Sequence, residues 1–135
     1  MSYKVDEIEG IGAAIAQKLA AAGIKTTGAL LEACKDAKGR KATAETTGLD
    51  EKRLLKWANM ADLMRIKGVG KQFSELLEAA GVDTVKELKT RNATNLAARM
   101  AEVNLTKNLC NAMPAESVVA GWVEQAKQLP AMLSY

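Results

Sequence analysis

The chain repeats itself, and each copy is punctuated by glycines at the same places. Residues 8–30 open with Ile8-Glu9-Gly10-Ile11-Gly12; residues 66–88 open with Ile66-Lys67-Gly68-Val69-Gly70, at an offset of 58. Under that offset Gly10 meets Gly68, Gly12 meets Gly70, Leu19 meets Leu77, Gly23 meets Gly81, Thr26 meets Thr84 and Leu30 meets Leu88. Further along the offset becomes 65, pairing Glu51 with Glu116, Leu54 with Val119, Trp57 with Trp122 and Ala61 with Ala126. The gain of seven residues predicts an insertion in the second copy, around Asn104–Asn111. Self-similarity on this scale means one supersecondary unit built twice. The expected organisation is a single domain over 1–135, with repeat one at about 1–65 and repeat two at about 66–130. Equivalent tryptophans are expected to plug the same hole in each half.

The spacing predicts an all-α fold. Ala13–Ala22 and Lys71–Ala80 have helical periodicity and end at Gly23 and Gly81, residues suited to a left-handed cap. Thr26 and Thr84 are candidate N-caps for short helices running to about Ala37 and Lys89. Asp50 and Glu51 start what reads as the longest helix, with Leu54, Leu55, Ala58 and Ala61 on its apolar side, running to about Arg65. Pro114 and Glu116 mark the start of its counterpart, which Pro130 stops. No linker rich in glycine or serine divides the halves, so they are expected to fuse into one compact helical body.

Composition limits the chemistry. At 135 residues and 48% hydrophobic, the chain can bury one core. It contains no histidine, which removes Ser-His-Asp and Cys-His catalysis and histidine-based zinc sites. Cys34 and Cys110 cannot supply four zinc ligands, and their apolar neighbours predict reduced core thiols. No carboxylate group recurs at metal-cluster spacing, and Asp62 is expected to face solvent or pair with a neighbouring base. Gly68-Val69-Gly70-Lys71 lacks the upstream glycine and the Ser/Thr of a phosphate loop. The start of the chain is no secretory signal, and no run of 18 apolar residues occurs. A cytoplasmic protein with no membrane contact, no metal, no cofactor and no enzymatic activity is the expectation.

Binding remains. The first glycine of each turn can adopt positive φ; the apolar residue after it, Ile11 or Val69, anchors the turn; the second glycine opens a helix with its first amides bare. Bare amides and a positive helix end favour an anion. The formal charge of +3 is unevenly spread: residues 35–71 hold ten basic and five acidic side chains, while each flank is slightly acidic. Arg65, Lys67 and Lys71 surround the second turn, whereas Asp6, Glu7 and Glu9 surround the first. The candidate phosphate-contacting set is therefore Arg65, Lys67, Gly68, Val69, Gly70 and Lys71. Gly10, Ile11 and Gly12 form a second candidate, whose acidic neighbours favour a structural or protein-binding role. Lys35, Lys38, Arg40 and Lys41 read as a solvated helix end or a further phosphate patch, and Lys52, Arg53 and Lys56 as an extension of the basic stripe towards Lys67 or as a complement to Asp50 and Glu51.

The pattern apolar–x–Gly–apolar–Gly, followed four places on by a small residue, here Ala16 and Ser74, resembles the helix-hairpin-helix family. Nearly the whole chain, and the segment Trp57–Gly70 in particular, resembles bacterial tandem helix-hairpin-helix proteins grouped as a domain of unknown function. The first resemblance implies a grip on the sugar–phosphate backbone of duplex DNA, independent of sequence. The same fold also serves in purely structural subunits, so a protein-interaction or scaffold module stands beside DNA binding as the alternative.

Overall fold

Caps and glycines divide the polypeptide into helices. The computed structural model describes residues 2–135, and among these eight α-helices and a 3-10 turn at Val5–Glu7 account for all regular structure. The helices are α1 (Ala13–Ala21), α2 (Thr27–Ala33), α3 (Ala37–Thr47), α4 (Glu51–Leu63), α5 (Lys71–Ala79), α6 (Val85–Leu88), α7 (Ala93–Lys107) and α8 (Glu116–Gln128). The fold class is all-α.

The element bounds follow the sequence offsets. Helices α1 and α5 both span nine residues, displaced by 58. Helices α4 and α8 both span 13, displaced by 65. The difference between these offsets is a net of three changes: α6 and the connection after it are two residues shorter than α2 and its connection, α7 has 15 residues against 11 in α3, and residues 108–115 replace the short 48–50 connection. Helix α7, not α4, is therefore the longest.

The expected caps form. Thr26 and Thr84 side chains accept from the amides of Ala29 and Glu87. Gly23 and Gly81 take positive φ at the ends of α1 and α5. The first short helix stops earlier than its alanine-rich sequence predicts. Asp36 leaves the helix and accepts from Gly39 N at 2.7 Å, restarting the chain as α3. An Asp side chain competes with helix continuation in this way.

Each half has its own core. Leu19, Leu30, Leu31, Cys34, Leu54, Trp57 and Met60 centre the first; Leu76, Leu77, Leu88, Leu96, Met100, Val119 and Trp122 centre the second. The two thiols are free and buried, one per core; Cys34 caps the end of α2 and Cys110 sits in the connection after α7. Helix α4 serves both cores at its end: Met60 and Ala61 face the first, Leu63 the second.

Polar contacts made by two buried side chains, Asp62 and Arg40, help to join the halves. Asp62 is not solvent-facing but buried, with Oδ2 accepting from Val85 N at 2.8 Å across the seam and Oδ1 accepting from Arg65 Nε at 2.9 Å. The C-terminal strap after α8 returns to the first half, where Met132 and Leu133 pack on its core. Arg40 holds this strap. It is 6% exposed and donates to Cys34 O at 3.0 Å and Ser134 O at 2.8 Å. Its counterpart, the fourth residue of α7, is the buried Leu96. The first half thus uses a hydrogen-bonded guanidinium where the second uses a hydrocarbon, and Arg40 is no part of a solvated basic patch.

Candidate nucleic-acid interface

The two glycine turns have nearly the same backbone. Gly10 and Gly68 lie at φ +93° and +95°, where a side chain is strained. A Cβ built on Gly10 would stand 3.2 Å from Trp57 Nε1, and one on Gly68 the same distance from Trp122 Nε1. Each tryptophan therefore closes against the first glycine of its own turn. Ile11 and Val69, between the glycines, are buried. Amide bonds from Ile11 N to Ile8 O and from Val69 N to Ile66 O, both 3.1 Å, tie each loop.

The second glycines, Gly12 and Gly70, are the N-caps of α1 and α5 in extended conformation, and neither provides a side-chain cap. The first intrahelical bonds run from Ala16 N to Gly12 O and from Ser74 N to Gly70 O. The first-turn amides before Ala16 and Ser74 lack helical acceptors, as at any helix start. By contrast α2, α3, α6 and α7 each have an amide bonded to a capping side chain. No atom would lie within 4 Å of a Cβ on Gly12 or Gly70, so both helix starts open to solvent.

The surroundings differ. At the second turn a shallow depression of about 400 Å³ is lined by Tyr3, Gly68, Gly70, Lys71, Gln72 and Phe73. Tyr3 comes from the far end of the chain, and bonds from its N to Thr27 Oγ1 and from Thr27 N to its O fix it there. Gln125 of α8 brackets the Lys67 peptide: Lys67 N donates to Gln125 Oε1 at 2.9 Å, and Gln125 Nε2 donates to Lys67 O at 3.3 Å. The residue at the equivalent place in α4 is the buried Met60, which braces nothing of this kind. Neither Tyr3 nor Gln125 carries a local sequence signal, because both act across long chain separations.

The predicted cations fall into different environments. Lys67 is exposed and pairs with no carboxylate among the described residues. Lys71 is half-exposed, with Nζ 3.6 Å from Glu9 Oε2 of the first turn. Arg65 turns inward instead. Its guanidinium donates to Asp62 and, through Nη2, to Pro130 O at 3.0 Å. The structure brings Lys67, Gly68, Gly70 and Lys71 together and commits Arg65 to the seam. On α4, Arg53 stacks 4.8 Å from the Trp57 ring centre and Lys56 Nζ lies 3.6 Å from Glu78 Oε1. The stripe expected from Lys52, Arg53 and Lys56 is thus partly spent on intramolecular contacts.

Among the described residues no group of three or more Cys, Asp or Glu side chains is arranged to hold a metal ion. No helix there is long and apolar enough to cross a membrane. Burial raises the pKa of both Cys34 and Cys110, which makes them poor nucleophiles at neutral pH.

No curated protein and no solved structure matches the chain. Residues 9–129 match the family described as Domain of unknown function (DUF4332). That span takes in both glycine turns and all eight helices, and the chain belongs to this family.

Proposed function

We propose that the chain is a non-catalytic, cytoplasmic binding module of tandem helix-hairpin-helix type. It holds nucleic acid by the sugar–phosphate backbone, independently of sequence, through the second turn. The observation that carries this reading is the exposed start of α5, uncapped by any side chain and flanked by Lys67 and Lys71. The bare amides and helix end suit a phosphate oxygen, and the lysines add charge without base recognition. Gly68 and Gly70 let the backbone approach; Val69 anchors the loop from below. Arg65 contributes by holding the seam rather than by touching phosphate.

With two lysines on phosphates, about two charges are neutralised. The log–log salt slope is then about −2, and affinity lies in the micromolar range or weaker. The test is a salt titration with unrelated duplexes, repeated on Lys67→Glu/Lys71→Glu. Equal affinity for the duplexes, that slope, and loss in the double variant are expected; salt-insensitive or absent binding contradicts the reading. The exposed Asp6, Glu7 and Glu9 at the first turn favour a second reading, a protein-interaction or scaffold role. A stoichiometric protein partner retained after nuclease treatment would favour that reading instead.

A further inference from the structure

A cleft on the seam between the halves bears on how tightly the second turn could hold a polyanion. Its lining includes Glu9, Lys56, Glu75 and Glu78, and its volume is about 410 Å³. Two ion pairs cross the seam here. Glu9 of the first half meets Lys71 of the second, and Lys56 of the first meets Glu78 of the second, each at 3.6 Å. Three carboxylates crowd this face. The pKa of Glu75 is raised, first by burial and then by Glu9 and Glu78, against the opposing pull of Lys56 and Lys71.

From this geometry we infer that Glu9 is an autoinhibitory carboxylate, occupying Lys71 in place of a nucleic-acid phosphate and so setting the affinity of the second turn. The inference rests on the proposed backbone-binding role. The Glu9 and Lys71 side chains are 49% and 47% exposed, so the pair is solvated and exchangeable. An exposed pair of this kind contributes little to folding, yet a polyanion has to compete with it for the lysine. Glu9 also sits on the turn that matches the phosphate-binding one in backbone. The first turn thus acts as a brake on the second rather than as a second clamp arm.

The experiment measures duplex affinity at low salt for the wild type, Glu9→Gln, Glu7→Gln and Glu45→Gln. All three substitutions remove one exposed negative charge, but only Glu9 faces Lys71. Tightening of about two- to fivefold in Glu9→Gln, with clearly smaller changes in the other two, is the expected result. Equal tightening in all three reduces the effect to net charge and overturns the inference. Wild-type binding that Glu9→Gln leaves unchanged also overturns it, while leaving the backbone-binding reading intact. Absence of binding in every protein, Glu9→Gln included, rejects both. A melting temperature for Glu9→Gln close to wild type verifies that the comparison is made between folded proteins.

Discussion

The two glycine turns share a backbone and differ in almost everything attached to it. Both put the first glycine at positive φ against a tryptophan, bury the next residue, and open a helix from the second glycine. One is rimmed by Asp6, Glu7 and Glu9; the other by Lys67 and Lys71, with Tyr3 alongside and Gln125 bracing its peptide. The geometry is thus a packing solution, fixed by glycine and indole. Whether a turn can hold phosphate is decided by side chains around it and by contacts from distant parts of the chain.

The largest effect should come from removing the shared plug. Trp57→Ala and Trp122→Ala should each cost about 3–5 kcal/mol in denaturant melts. A small loss at either would mean that its turn does not depend on the indole. Asp62→Ala leaves Arg65 and Val85 N without their buried acceptor and should cost about 3 kcal/mol, whereas its counterpart Lys127→Ala, on the exposed end of α8, should be near neutral. Gly10→Ala and Gly68→Ala should each cost about 2 kcal/mol, from positive φ and the nearby indole. Gly12→Ala and Gly70→Ala should cost under about 1 kcal/mol, the ordinary penalty of alanine at an N-cap. Gly70→Ala should nonetheless weaken duplex binding, and Gly12→Ala should not. That contrast separates the glycine that builds the turn from the glycine that serves it.

The smallest effect concerns pH. Glu75 has a raised folded-state pKa, so its proton is held more tightly in the folded protein than in the unfolded chain. Its protonated form favours folding, and that contribution is lost as pH rises through the raised value. Glu75→Gln should therefore be slightly more stable than wild type at neutral pH, with the difference vanishing below the usual carboxylate range. Thermal melts from about pH 3 to about pH 8 test both the sign and the convergence at the acid end.

Much of the fold is legible in the sequence because its signals are local. Glycines at the turns, Thr26 and Thr84 as caps, and the helical spacing of Ala13–Ala21 and Lys71–Ala79 act within a few residues. The break at Cys34–Asp36 was also available, in Asp36 itself, but the surrounding alanines read as continuous helix. The site is less legible. Arg65 and Arg40 look like surface cations; only tertiary structure shows that a buried carboxylate and the returning strap claim them. Tyr3 approaches the second turn from more than 60 positions away, and the Glu9–Lys71 contact joins halves that no local pattern pairs.

The proposed nucleic-acid contact is the second turn and not the first. Amide chemical shifts recorded while unlabelled duplex is added to labelled protein test it directly. Shifts concentrated at Lys67–Phe73, with Gly12–Ile15 moving little, are the expected result. Equal shifts at both helix starts, or movement confined to the first turn, would contradict it.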